Sequence, residues 1–206
     1  MRYIQLFESF NKITEKDMYD LLKNTMFWKY FRGDINDIYR NWTLKNRYYH
    51  NMKHLENLKR MLDNDKKLFT QEEYDMMILS IIYHDVIYVG NRDDNLNIDE
   101  SIEYFKRDFP TLPNEYKNKI IEIIDSTRRH NFEEGDKLCV KLNYYDMSGI
   151  LEGDVKTIIE DGNNVRKEHD KITDEFFKEK RIEFLRNYIK YNPNIEKAIM
   201  HINLIN

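Results

Sequence analysis

Residues 76–83, Met-Met-Ile-Leu-Ser-Ile-Ile-Tyr, most constrain how this 206-residue chain can fold, because they are apolar on nearly every side. The preceding Thr70-Gln-Glu-Glu73 has the form of a capping box, which predicts that a helix begins directly after Thr70. A helix without a polar face is buried inside its domain. We therefore predict that this helix lies at the centre of the protein.

Two polar residues, His84 and Asp85, directly follow this apolar helix. A buried helix ordinarily avoids such groups, since a buried charge is costly unless it is paired or coordinates a metal. A bound cation would resolve the conflict. Upstream, His50 and His54 are four residues apart, so on a helix their side chains share a face. The pattern predicts that these polar groups converge in one pocket.

Helical periodicity dominates the rest of the chain, which has only three prolines and six glycines. The sequence therefore predicts an all-α, single-domain bundle of about seven to nine helices. Residues 38–42 are predicted to form a short turn, and residues 138–146 a helix or a strand. Besides the helices that carry the histidines, we expect helices at about residues 14–26, 99–109, 114–130 and 174–189, and one that Asp154 caps and residues 161–164 interrupt or kink.

Composition excludes several classes of protein. The net charge is −4, with 33 Lys and Arg residues mixed among 37 Asp and Glu residues, which argues against a dedicated nucleic-acid or membrane surface. The single cysteine, Cys139, cannot form an intrachain disulfide, which suits a reducing cytoplasm. The sequence lacks an apolar run of about 18 residues for a membrane span, and its opening, residues 1–10, lacks a secretory cleavage site. That opening is similar to those of proteins from large tailed phages, so the cytoplasm of a phage host is one expected compartment.

Six short motifs follow one another in order along the middle of the chain. They read Arg47-Tyr-Tyr-His50-Asn-Met-Lys-His54, Tyr83-His84-Asp85, Asn97-x-x-x-Ser101, Thr127-Arg-Arg-His130, Asp146-Met-Ser-Gly-Ile-Leu and Arg166-Lys-Glu168-His169. The series resembles the HD superfamily of metal-dependent phosphohydrolases, and most closely a family of small bacterial HD phosphohydrolases. Its first motif is also similar to that of cyclic-nucleotide phosphodiesterases. Three departures from the family pattern are Ile98, where the family has Glu, His169, where it has Tyr, and Ser148-Gly-Ile-Leu151, which replaces a Leu-Gly step.

The resemblance implies a domain organisation and a set of metal ligands. An HD-type helical domain would span residues 41–190, with 1–40 as a helical extension packed on its core and 191–206 as a C-terminal tail. A mixed set of nitrogen and oxygen ligands suits a divalent Mn, Fe, Zn, Ni or Mg ion. The residues that would bind this ion are His54, His84, Asp85 and Asp146.

The resemblance also implies roles in catalysis and in substrate binding. His50 would be the general acid and Asp85 would hold a water; in the alternative assignment, His50 and His54 exchange roles. Arginine fits phosphate bidentately, and His130, three residues after Thr127, would contact substrate phosphate or a second metal. The alternative is that the arginines pair with nearby acids and that His130 makes a structural hydrogen bond. The four candidate substrate contacts are Arg47, Lys53, His130 and Arg166.

These residues favour a metal-dependent phosphohydrolase whose partner is a small phosphate ester, in particular a nucleotide. The alternative is a catalytically weak HD-fold protein that binds a nucleotide or a protein partner and is encoded by a phage. Two features favour this alternative, namely Ile98 in place of Glu and the lack of a third histidine shortly after Asp85, which binuclear phosphodiesterases use. The complete set of His54, His84-Asp85 and Asp146 favours the enzyme.

Overall fold

A computed structural model describes residues 13–204, and within this range the protein has eleven α-helices, three short 3₁₀ segments and no β-strand. The prediction of an all-α fold is thereby confirmed. The opening stretch of residues 1–10 lies outside the described residues. The helices are α1 (Glu15–Lys23), α2 (Ile35–Trp42), α3 (Met52–Asn64), α4 (Gln71–Tyr83), α5 (Asp94–Asp108), α6 (Asn114–Asp125), α7 (Lys137–Asp146), α8 (Ser148–Leu151), α9 (Val155–Glu168), α10 (Asp174–Arg186) and α11 (Asn194–Leu204).

Helix α4 lies at the centre of the larger apolar core, as predicted. The Thr70 backbone N–H donates to Glu73 Oε2 at 2.8 Å, and the Glu73 N–H donates to Thr70 Oγ1 at 3.2 Å, which completes the capping box. Every residue from 75 to 83 is buried, and α3, α5, α6 and α7 all pack against this helix. Burial of each large aliphatic side chain contributes about 1.5–3 kcal/mol, so these residues alone account for much of the core's stability.

The described part of the predicted N-terminal extension, residues 13–40, packs on this core through the buried side chains of Met18, Leu22 and Phe27. Two local predictions were wrong here. Helix α1 ends at Lys23 rather than near Met26, whose side chain is 43% exposed. Residues 35–42 form a helix instead of a turn, because the Asp34 side chain accepts a hydrogen bond from the Asn36 N–H at 2.8 Å and caps it.

A second, smaller apolar cluster joins α8, α9, α10 and α11. Helix α9 begins after Asp154 as predicted but continues without a break through residues 161–164. Gly162 does not interrupt it; a Cβ there would lie 3.3 Å from Arg181 Nε, so the glycine permits close packing of α10. The predicted tail contains α11, which sequence analysis missed and which buries Ile195, Ala198 and Ile199.

Several other helix boundaries differ from those predicted. Helix α5 begins at Asp94 rather than Asp99, because the Asp93 side chain accepts from the Asn95 N–H and caps it. Helix α6 ends at Asp125 and gives way to a 3₁₀ segment, Ser126–Arg129, whereas a helix was predicted through His130. Residues 137–146 are helical, which decides between the two predicted alternatives there. Within residues 13–204, none of the helices combines the length and the apolarity needed to cross a membrane.

Candidate functional site

Three helices converge at the site, and each contributes one residue at or near its end. His54 lies in the first turn of α3, His84 follows the last residue of α4, and Asp146 is the last residue of α7. His54 Nε2 lies 3.1 Å from Asp146 Oδ1, and His84 Nε2 lies 3.9 Å from the same oxygen. The ligand atoms of all three residues lie within 4.8 Å of one another. The structure therefore brings together three of the four predicted metal ligands in an arrangement compatible with a metal site.

The fourth predicted ligand, Asp85, faces the same two nitrogens. Its Oδ2 lies 3.2 Å from His84 Nε2 and 4.0 Å from His54 Nε2. Donor atoms about 2.0–2.2 Å from a common ion lie roughly 3–4 Å from one another. The two distances from Asp85 lie in this range, but the residues whose ligand atoms all lie within 4.8 Å of one another are His54, His84 and Asp146.

The protonation of His84 also suits a metal ligand. Its Nδ1 lies 3.0 Å from the Ile81 carbonyl oxygen, so Nδ1 carries a hydrogen, and in the neutral ring Nε2 presents its lone pair to the cluster. Neither His84 Nε2 nor His54 Nε2 has an aligned hydrogen-bond partner among residues 13–204, although both atoms are buried. Buried nitrogens of this kind are costly unless something satisfies them, and a metal ion does so.

The charge around His84 favours a cation at this position. Burial alone would lower the pKa of His84, but the carboxylates of Asp85 and Asp146 outweigh it and raise that pKa to about 9. Burial would raise the pKa of Asp146, but the close approach of the His130, His54 and His84 rings outweighs it and holds that pKa well below its usual range. The cluster thus stabilises positive charge, whether a proton or a metal ion provides it.

His50 does not share a helix with His54, so the predicted geometry of this pair was wrong. Helix α3 begins at Met52 because the Asn51 side chain accepts from the Lys53 N–H at 2.9 Å and caps it. His50 lies just outside the helix, with its ring 6.0 Å from that of His54 and stacked on Tyr88 at 3.7 Å. It still borders the cluster, but the preceding loop positions it there.

Glu168, the last residue of α9, holds His50 in place. Its Oε2 lies 2.7 Å from His50 Nδ1, and its Oε1 accepts the backbone N–H groups of Tyr48, Tyr49 and His50 at 2.7, 2.8 and 3.0 Å. Sequence reasoning quoted Glu168 within a motif but assigned it no role. Its signal was only its place in Arg166-Lys-Glu168-His169. This buried carboxylate joins two segments that are 118 residues apart.

Each partner of this pair shifts the pKa of the other. Burial would raise the pKa of Glu168, but hydrogen bonds from His50 and the backbone outweigh it and lower that pKa. Burial would lower the pKa of His50, but the hydrogen bond with Glu168 and the charge of Asp85 outweigh it and raise that pKa. The pair therefore favours an ionised glutamate beside a protonated histidine.

Glu168→Gln should lower the free energy of unfolding in EDTA by about 1.5–3 kcal/mol at pH 7, since it removes a charge-assisted set of hydrogen bonds. A carboxylate whose pKa is lowered by folding stabilises the protein above its unfolded pKa of about 4.5, and that contribution is lost as the pH falls through the folded pKa. Urea unfolding from pH 7 to pH 3 should therefore show the gap between variant and wild type closing below pH 4.5. Glu160→Gln, on the exposed face of α9, should change stability by less than about 0.5 kcal/mol. A gap that persists unchanged at pH 3 would contradict this account.

Two predicted phosphate contacts, Arg47 and Arg166, point instead to groups within the protein. Arg47 is only 5% exposed and donates to the carbonyl oxygens of Asp85 at 2.8 Å and Val86 at 3.0 Å. Arg166 donates to Asp174 Oδ1 at 2.7 Å and to the Ile172 carbonyl at 3.0 Å. We therefore assign both arginines a structural role; Arg47 fixes the backbone that presents Asp85.

His130 lies beside Asp146, opposite His54. Its Nδ1 is 3.5 Å from Asp146 Oδ2, close enough for an ion pair, and its backbone φ of 44° lies in the left-handed region. Such a φ is uncommon outside glycine and implies that the surroundings enforce it. Lys53 extends from α3 as an exposed side chain. Both residues stay candidate contacts of substrate.

The Asn97 motif supports the loop that follows Asp85. Ser101 Oγ accepts from the Ile87 N–H at 3.1 Å, and Asn97 Oδ1 accepts from the Val89 N–H at 2.9 Å. Ile98, where the resembled family has Glu, is 3% exposed and belongs to the apolar core. In this chain the motif therefore orders backbone next to the site.

We compared the chain with protein-family models, curated proteins and solved structures, and none of the three gives a match. The function proposed below accordingly rests on the geometry of the residues described above.

Proposed function

We propose that this protein is a metal-dependent phosphohydrolase of the HD type that hydrolyses a phosphate ester of a nucleotide or a similar small molecule. The observation that carries the proposal is that two buried, unpartnered imidazole nitrogens converge with two carboxylates beside a third, anchored histidine. Since the one cysteine of the sequence favours a reducing compartment, the proposed place of action is the cytoplasm.

The metal ligands in this proposal are His54, His84, Asp85 and Asp146, and Mn, Fe, Zn, Ni and Mg all accept such a mixed set. A divalent ion at this position supplies Lewis acidity toward phosphoryl oxygens and makes water more acidic. Asp85 Oδ2 faces the histidine nitrogens, and its second oxygen would accept a hydrogen bond from the attacking water and orient it. Arg47 positions this residue through its backbone carbonyl.

His50 is the general acid of the proposed reaction. Glu168 holds Nδ1, so Nε2 is the ring nitrogen left to meet substrate, and the ionised glutamate keeps a proton on the ring. The water oxygen bonds to phosphorus as the bond from phosphorus to the ester oxygen breaks. The ester oxygen takes the proton from His50 Nε2 as it leaves. The proton that the water loses then restores the imidazolium form of His50.

The proposal is tested by assaying the wild-type protein, loaded in turn with each candidate metal, on a panel of phosphate esters. The panel holds p-nitrophenyl phosphate, bis-p-nitrophenyl phosphate, nucleoside monophosphates and cyclic nucleotides. We expect turnover of at least one ester, with loss of activity in EDTA and recovery when metal is restored. Binding of a nucleotide by calorimetry without turnover of any ester, metal being present, would support the alternative binding function instead.

A further inference from the structure

We propose that Arg181 binds the anionic phosphoryl group of the substrate, at an oxyanion subsite that adjoins the metal ligands. This inference rests on the proposed function for the identity of the ligand. Its starting point is the isolation of the Arg181 guanidinium. Arg181 Nε is buried without a hydrogen-bond partner, and the side chain forms no hydrogen bond or ion pair with any residue of the described range, 13–204.

A partly buried arginine whose Nε is buried without a hydrogen-bond partner is unusual. Partial removal of a guanidinium from water costs several kcal/mol unless hydrogen bonds or an opposite charge compensate. Other arginines of the chain show the normal arrangement: Arg92 pairs with Glu100 at 2.9 Å and Arg166 with Asp174 at 2.7 Å. Burial lowers the pKa of Arg181, and the nearby Tyr49 and Asp161 only oppose this through space. An anionic ligand would supply the missing partner.

Two series of contacts connect Arg181 to the residues around the metal ligands. On one side, its guanidinium carbon lies 5.4 Å from the centre of the Phe184 ring, and that ring is 6.3 Å from the ring of His130, the neighbour of Asp146. On the other side, Arg181 interacts electrostatically with Tyr49, whose ring lies 5.1 Å from that of His54. Arg181 is thus linked to Asp146 through Phe184 and His130, and to His54 through Tyr49.

The helix packing keeps this guanidinium in place. A Cβ on Gly162 would lie 3.3 Å from Arg181 Nε, so only a glycine in α9 leaves full room for the arginine stem. Asp161, the preceding residue of α9, does not form an ion pair with Arg181 within 4.0 Å, although the two interact through space. The Nε donor of the guanidinium has no partner among residues 13–204, and guanidinium donors match phosphate oxygens bidentately.

The inference is tested with inorganic phosphate as the probe, by calorimetry on the metal-loaded and on the EDTA-treated protein. Arg181→Gln should weaken phosphate binding about 10–100-fold, as expected for loss of charge-assisted hydrogen bonds, and Arg181→Lys should recover part of it. Arg186→Gln, a substitution at an exposed arginine of the same helix, should bind phosphate as the wild type does. In turnover, the value of KM should rise in Arg181→Gln while kcat changes less.

A structural arginine would behave differently. Loss of an unpaired buried charge should leave the thermal unfolding midpoint of Arg181→Gln unchanged or raise it, whereas loss of a structural contact would lower it. Wild-type phosphate affinity in Arg181→Gln, alongside turnover by the wild type, would overturn the subsite and leave the proposed function intact. Phosphate binding that depends on Arg181, in a wild-type protein that hydrolyses no ester, would support the subsite and refute the hydrolase.

Discussion

Replacement of His50 by alanine is expected to leave the metal content unchanged and to reduce turnover about 10²–10⁴-fold, the usual contribution of a positioned proton donor. The expectation rests on the separation of two roles. His54 Nε2 lies 3.1 Å from Asp146 Oδ1 within the cluster, whereas His50 is held by Glu168 at 2.7 Å. The measurement is kcat/KM together with metal content by elemental analysis.

The leaving group tests the acid role directly. A leaving group of low pKa, such as p-nitrophenolate, needs less protonation than an alkoxide. His50→Ala should therefore be impaired less on p-nitrophenyl esters than on esters with alkoxide leaving groups. His201→Ala, at an exposed histidine of α11, serves as the matched control and should behave as the wild type. Equal impairment on both kinds of ester would remove the acid role, and loss of metal from His50→Ala would exchange the assignments of His50 and His54.

Replacement of His84 by alanine is expected to abolish metal binding and turnover together. His84 donates a hydrogen bond from Nδ1 to the Ile81 carbonyl and directs Nε2 toward Asp85 and Asp146. An alanine at this position offers no ligand atom in place of Nε2. A ligand that binds only the folded protein adds about 2.7 kcal/mol of stability when it is present at 100 times its Kd. The wild type, but not His84→Ala, should therefore gain stability when metal is added.

The control for this second prediction is the unfolding of both proteins in EDTA. In EDTA, the difference between their free energies of unfolding measures the packing lost around the buried ring. The further difference that appears when metal is added measures metal binding alone. His54→Ala should likewise lose both metal and turnover, whereas His201→Ala should keep both. Retention of the full metal content by His84→Ala and by Asp85→Ala would refute the assigned site.

The features that the sequence determined are those set by neighbours along the chain. Thr70 and Glu73 define where α4 begins, Asp154 and Thr173 cap α9 and α10, and residues 76–83 form a helix that only a protein interior accommodates. Each of these features depends on residues within one helical turn or along one helical face. A short stretch of sequence therefore contains all the residues that determine it. The grouping of His54 with His84 and Asp146 was also expected, from the resemblance of the motif series to the HD superfamily, while the His-Asp pair at the end of a buried helix indicated only that some compensation is needed.

Only the tertiary structure decided how the groups around this cluster are used. Glu168 accepts hydrogen bonds from the backbone of residues 48–50, which 118 or more residues separate from it, and thereby holds the segment that carries His50 beside the cluster. Arg47 was a candidate phosphate contact but donates to backbone carbonyls, while Arg181, which no motif contains, has a buried Nε without a hydrogen-bond partner among residues 13–204. Residue type and spacing state which side chains can bind phosphate or metal. Which of them remain free to do so depends on the packing of distant helices, because those helices supply the competing acceptors.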